Sequence, residues 1–189
     1  KGVPSECQDK AWQTCSCLGT WHYNRSAYED NWYKSAETVI HMLIDIVSKN
    51  GNLLLSVPMK GNGTIDDKEE KILEDIAAWM EVNGEGIFDT RPWCIYGEGP
   101  STETAIPLDG AGFNEGKNAP YTSADIRFVK KGKYLYAHIM KWPSDGKIQI
   151  KSLATGSPYC KGEIEKVELL GGGKAKFRRT SKGLLIDLP

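Results

Sequence analysis

Between Trp12 and Tyr33 the chain carries Trp12, Trp21, Tyr23, Tyr28, Trp32 and Tyr33, interleaved with Gln13, Thr14, His22, Asn24 and Arg25. Aromatic faces stack on the apolar C–H face of a sugar, while amide, imidazole and guanidinium groups hydrogen-bond its hydroxyls. A concave site that mixes the two suits a carbohydrate. The competing reading assigns these aromatics to the core and to interfaces. Elsewhere chemistry is sparse. His41 falls mid-helix and His138 inside a strand pattern, where a packed or half-exposed ring is expected. The glycines around Asn62 lack the context of a phosphate loop, and neither a GxSxG elbow nor an HExxH pair occurs. The five cysteines, Cys7, Cys15, Cys17, Cys94 and Cys160, form no CxxC pair. Zinc-site spacing is therefore absent, and buried free thiols are the expectation. Two tripeptides, Asn24-Arg25-Ser26 and Asn62-Gly63-Thr64, fit the N-glycosylation pattern.

Composition narrows the partners. Lys and Arg number 24 and Asp and Glu 25 in 189 residues, for a formal net charge of −1. No basic excess marks a phosphate-binding surface, so nucleic acid is not expected as a partner. No apolar run approaches the roughly 20 residues of a membrane span, and the start shows no basic stretch followed by an apolar core. Neither a membrane span nor a leader is expected. The opening Lys1-Gly2-Val3-Pro4 reads as the middle of a loop, so a processed or truncated chain is expected.

The elements that must position the aromatic segment follow from periodicity. Trp12 to Leu18 reads as a strand. From Ser35 to Asn50, Ala36, Val39, Ile40, Leu43, Ile46 and Val47 recur at helical intervals, with Ser35 as N-cap and Gly51 at the left-handed C-terminal turn. Leu53 to Val57 reads as a strand buried on both faces. Asp66 with Glu69 opens a second helix like a capping box, and Ile72, Leu73, Ile76, Trp79 and Met80 face inward until Asn83-Gly84. Strand, helix, strand, helix is α/β logic with parallel strands. After about residue 95 the pattern becomes antiparallel. A hairpin is expected from Ile126 to Trp142, then strands at Ile148–Ile150, Ile164–Leu170, Ala175–Arg178 and Leu184–Leu188, at the spacing of a small sandwich. Gly97 to Thr122 reads as an irregular connection.

Several separated motifs then occur in a shared order: Trp12-Gln13-Thr14-Cys15, Gly19-Thr20-Trp21-His22-Tyr23, Tyr33 to Glu37, Asp45 to Leu55, Asp66 to Trp79, and Val82 to Phe88 with Thr90 to Trp93. In this the chain resembles the C-terminal part of α-L-fucosidases of glycoside hydrolase family 29, closely over residues 1 to 96 and more loosely beyond. The resemblance implies an α/β plus all-β chain: residues 1–96 as the C-terminal segment of a (β/α)8-like catalytic barrel, and residues 97–189 as a C-terminal β-sandwich. It implies retaining, exo-acting hydrolysis of terminal α-L-fucose from glycans, with no metal and no cofactor. The nucleophilic aspartate is expected upstream, on a chain or segment that carries the earlier barrel strands. The position of Gln13 is a glutamate acid/base in many relatives, and Gln cannot exchange a proton at neutral pH. The acid is therefore expected from the loop before Lys1, with Glu6 as the in-chain candidate, unless Gln13 is an engineered change. Trp21 matches the position whose aromatic ring packs near the fucose methyl group. Gln13, His22, Tyr23 and Arg25 are the further substrate-binding candidates. Trp79 and Trp93 are expected in the core. The family implies a secreted, periplasmic or lysosomal setting. The rival reading is a non-catalytic carbohydrate-binding or interaction module formed by the β half.

Overall fold

The computed structural model describes residues 2–108 and 114–188, so Lys1 and part of the irregular connection expected from Gly97 to Thr122 lie outside the described residues. Strands β1 (Trp12–Cys17) and β2 (Gly51–Ser56) pair in parallel, Trp12 opposite Gly51 and Cys17 opposite Ser56. Between them come α1 (Arg25–Glu29) and α2 (Ala36–Ser48); α3 (Asp67–Asn83) follows β2. Ser35 Oγ accepts the Thr38 N–H at 3.1 Å and Asp66 Oδ1 the Glu69 N–H at 2.8 Å. Each cap satisfies a first-turn donor that has no partner inside the helix.

Two expectations around α2 and β2 are corrected. The left-handed residue after α2 is Asn50, at φ 69°, and Gly51 already belongs to β2. Asn is among the few side chains that visit this region readily. Gly51 is required by crowding instead: an added Cβ would stand 2.5 Å from the Trp12 ring and 2.9 Å from Ile46 Cγ2. That contact marks the face of β2 covered by α2, and alternation puts Leu53 and Leu55 on it with Gly51. The opposite face is open, with Asn52 exposed and Leu54 55% exposed, so β2 is not buried on both faces. Among the described residues no third strand joins β1 and β2.

The antiparallel half begins with β3 (Arg91–Glu98), followed by the short helix α4 (Pro100–Glu103), β4 (Ile126–Lys131), β5 (Tyr134–Ile139) and β6 (Lys147–Ile150). The rest comprises β7 (Glu168–Leu169), β8 (Gly173–Lys174), β9 (Lys176–Thr180) and β10 (Gly183–Asp187). One sheet runs β3-β4-β5, a second β6-β10-β9, and β7-β8 is a small ribbon. The strand expected at Ile164–Leu170 is thus reduced to two residues. Ile126 and Phe128 of β4, Ile148 and Ile150 of β6, and Leu184 and Ile186 of β10 share one core, with Trp93, Ile95 and Phe177 packed on it. Residue 96, where the domain division was expected, lies inside β3, and both Pro92 and Gly97 pair with β4.

β4 is buried on both faces, and its second face reaches α2. Arg127 Nε donates to Asp45 Oδ1 at 2.6 Å and Lys49 Nζ to Asp45 Oδ2 at 2.8 Å, with side chains 2%, 5% and 9% exposed for Arg127, Lys49 and Asp45. Arg127 Nη2 also donates to Ser101 Oγ, and the rings of Tyr96 and Tyr121 lie 5.4 Å from the guanidinium carbon. A buried charge is costly unless paired. Here both carboxylate oxygens are used and α2 is joined to β4. Met140, packed with Ile40, Ile44 and Ile87, adds apolar contact beside this joint.

His138 is buried with Nε2 2.9 Å from the Gly86 carbonyl oxygen, and the His41 ring meets Tyr121 edge-on. Trp93 meets Phe128 edge-on, and Trp79 packs beside Ile40 and Ile44. Of the five cysteines, expected to be buried, only Cys17 is; Cys7 and Cys94 are exposed. Among the described residues no helix is long and apolar enough to cross a membrane.

Candidate active site

In a parallel pair, the segments leaving the carboxyl ends of the strands emerge on one side. β1 ends at Cys17 and β2 at Ser56, and the Leu18 N–H donates to the Ser56 carbonyl, holding the two ends together. Loop 19–33 leaves β1 here. Its neck is closed by the Lys34 N–H on the Leu18 carbonyl at 2.7 Å and by Lys34 Nζ on the Cys17 carbonyl at 2.8 Å. Gly19 fits beneath the Tyr33 ring, which would stand 3.0 Å from an added Cβ. Within the loop, Asn24 Oδ1 caps α1 through the Ser26 N–H, Ala27 is buried, and the Trp32 N–H returns to the Ala27 carbonyl. Ends held close and a packed interior make this a compact Ω-type loop.

A second set of contacts ties the loop to the start of α3. Tyr33 Oη donates to Asp66 Oδ2 at 2.6 Å while Asp66 Oδ1 caps α3, so one carboxylate fastens both segments. Lys68 Nζ donates to the Tyr28 carbonyl and lies 4.5 Å over the Tyr28 ring. Lys34 Nζ also pairs with Glu115 at 2.9 Å, and Glu115 accepts the Ser16 hydroxyl. Burial and the Asp66 carboxylate push the Tyr33 phenol well above its usual range. It therefore stays a hydrogen-bond donor at neutral pH. Glu69 is fully buried, with neither carboxylate oxygen hydrogen-bonded among the described residues. Burial first, and the Asp66 charge second, push its carboxyl above the usual glutamate range. Tyr33, Asp66, Lys34 and Lys68 brace the loop, and none of them presents a free nucleophile.

The structure gathers four of the six sequence candidates on loop 19–33. Trp21 is 47% exposed and His22 exposed, Tyr23 is half-buried, and Arg25 is exposed and paired with Glu29 at 2.8 Å. Gln13 is not with them. It is the second residue of β1, opposite Asn52, about 13 Å before the strand's end at roughly 3.3 Å per residue. It lines an open groove of about 380 Å³ with Gln8, Trp12, Thr14 and Cys15. Glu6 is exposed and its carbonyl accepts from Gln8 Nε2, while the Gln8 N–H reaches Lys49, just before β2. Glu6 thus belongs with the amino ends of the strands, opposite the Trp21 loop.

Sequence reasoning missed the bracing role of Tyr33 and Asp66 and the burial of Glu69. One signal was present: Glu69 sits three, four and seven positions before Ile72, Leu73 and Ile76, on the apolar stripe of α3.

Comparison with known proteins gives two family matches. Residues 1–85 match the family model described as alpha-L-fucosidase, and residues 119–189 match the alpha-L-fucosidase C-terminal domain. Rat plasma alpha-L-fucosidase is 30% identical over 98% of this chain and 36% of its own length, and human tissue alpha-L-fucosidase 26% identical over 100% and 35%. The solved Thermotoga maritima alpha-fucosidase in complex with fucose superposes with a TM-score of 0.71 at 25% identity, covering 99% of this chain and 37% of that one. The chain therefore spans little more than a third of the length of these relatives. With both models matched in order along most of its residues, the chain belongs to the α-L-fucosidase family.

Proposed function

We propose that this chain supplies the last two strand–helix units of the (β/α)8 catalytic barrel of a retaining, exo-acting α-L-fucosidase, together with a β-sandwich that follows it. The observation that carries the reading is the braced loop at the carboxyl ends of β1 and β2, which brings Trp21, His22, Tyr23 and Arg25 to one side of a parallel pair. Barrel enzymes build their sites at that end. The exposed faces and edges of β1 and β2 fit a place beside further barrel strands, supplied by a segment or chain that also carries the aspartate nucleophile. Trp21 packs against the C–H face and methyl group of the terminal fucose, and His22, Tyr23 and Arg25 line the neighbouring subsite. With Gln13 and Glu6 near the amino ends of the strands, the acid/base comes from outside this chain.

The sheets β3-β4-β5 and β6-β10-β9 share one core, which supports reading them as the sandwich, with the division from the barrel portion set next to Arg91, where β3 begins. Similarity to a plasma enzyme supports an extracytoplasmic setting, among the secreted, periplasmic and lysosomal ones the family implies.

Retention requires two displacements at the anomeric carbon, with a covalent glycosyl-enzyme between them. Proton NMR of a fucoside digested by the complete enzyme should show α-L-fucose as the first anomer released, from chain ends only. The β-anomer appearing first would contradict the mechanism. The rival reading, a binding module in the β half, predicts instead that a fucose titration perturbs residues beyond Arg91 and leaves loop 19–33 unchanged.

A further inference from the structure

The tripeptide Asn62-Gly63-Thr64 plays no part in the proposed site, yet its geometry is that of a presented acceptor. It occupies the turn between β2 and α3, and residues 61 to 64 are all exposed. Backbone hydrogen bonds close the turn: Lys60 N–H to the Thr64 carbonyl at 2.8 Å and Gly63 N–H to the Lys60 carbonyl at 2.9 Å. Gly63 adopts φ 82°, which glycine does without strain. Asn62 Oδ1 accepts both the Thr64 N–H, at 3.1 Å, and the Thr64 hydroxyl, at 2.8 Å. The hydroxyl that the acceptor pattern demands is thus in register with the Asn62 amide, and Nδ2 is left for the new bond. Room for a bulky substituent is also present, since a Cβ built on Gly61 or on Gly63 would meet nothing within 4 Å.

The second tripeptide differs. Asn24 is half-buried, its Oδ1 caps α1, and it belongs to the braced loop beside Trp21 to Tyr23. A glycan there would crowd the mouth that a substrate must enter.

We propose that Asn62 is an N-linked glycosylation site of this protein, a surface modification that leaves the fold and the Trp21 loop intact. An oligosaccharide passes from a lipid-linked pyrophosphate donor to Asn62: the bond from sugar C1 to the phosphate oxygen breaks, and a bond from C1 to Asn62 Nδ2 forms. Nδ2 gives up one proton, and the lipid pyrophosphate leaves. The inference rests on the extracytoplasmic reading, and its test does not depend on fucose release.

The chain is secreted from a eukaryotic cell behind a leader whose retained, uncleaved portion bears its own acceptor tripeptide as an internal standard. Its peptides are mapped by mass spectrometry after enzymatic deglycosylation in heavy-oxygen water. In a preparation whose leader tripeptide is glycosylated, Asn62 should appear as heavy-oxygen aspartate. That mark should vanish in Asn62→Gln and in Thr64→Ala, which retains the asparagine. Unmodified Asn62 beside a glycosylated leader overturns the proposal. So does aspartate without heavy oxygen, which would report spontaneous deamidation of the Asn62-Gly63 pair.

Discussion

Replacing Asp45 by Asn tests whether α2 and β4 form one cooperative unit. The substitution preserves shape and removes a charge that two buried cations share, at 2.6 Å from Arg127 and 2.8 Å from Lys49. Removing one partner from a buried pair costs about 3–5 kcal/mol, because the remaining charge stays desolvated. Two orphaned cations place the expectation at the upper end, against a total stability of about 5–15 kcal/mol. With a urea dependence of about 2 kcal/mol per molar, the unfolding midpoint should fall by roughly 2 M. The loss should also depend on pH. Burial holds the Lys49 ammonium below its ordinary value of 10.5, and Asp45 opposes that depression. A base with a depressed folded pKa penalises folding while the unfolded chain stays protonated, and the penalty fades as pH rises toward the unfolded value. Without Asp45 the depression deepens. The deficit should therefore be largest near neutral pH and shrink toward pH 10.5. Urea titrations followed by tryptophan fluorescence and by circular dichroism, at several pH values, supply the readout. A deficit under about 1 kcal/mol with no pH trend, the behaviour of an exposed pair, would refute the reasoning.

The braced loop and the parallel pair carry further predictions. Tyr33→Phe removes the donor to Asp66 and should cost about 1.5–3 kcal/mol, the value of a hydrogen bond to a charged group; amide exchange should quicken across loop 19–33 while β4 and β10 remain protected. Glu69→Gln should stabilise the protein at neutral pH, because the folded state holds that carboxyl above its ordinary value of 4.5. A raised folded pKa means stability that is present in acid and lost as pH rises through the folded value, so thermal melts of variant and parent should converge at low pH and separate above it. Gly51→Ala places a methyl group 2.5 Å from the Trp12 ring and should cost about 1–3 kcal/mol by overpacking, measurable as a lower urea midpoint.

Legibility in the sequence varied with the range of the interactions involved. Helix starts were readable because capping is local: Ser35 and Asp66 need only partners three residues on, and both have them. The hairpin across Gly132 was equally local. β2 misled because Leu53-Leu54-Leu55 describes the strand's apolar content, whereas its burial depends on which neighbours stand on each side, and α2 covers one face. Asp45 reads as one more polar residue on α2. Its partner Arg127 lies 82 positions away, and no periodicity announces such a pairing. The aromatic segment was legible as a candidate site by composition, and four of its candidates do share a loop. The distance of Gln13 from that loop depends on where β1 begins, and the brace through Asp66 on a contact 33 residues apart.

Catalytic efficiency of the complete enzyme on an aryl α-L-fucoside, compared for Trp21→Ala and Trp142→Ala, tests the central claim most directly. Both rings are largely exposed, at 47% and 60%, and they lie in different halves of the chain. A wall built from the β1 and β2 loops predicts that Trp21→Ala lowers kcat/KM by roughly tenfold or more, equivalent to about 1.4 kcal/mol of aromatic contact, while Trp142→Ala leaves it unchanged. Full activity in Trp21→Ala, or a loss confined to Trp142→Ala, would contradict it.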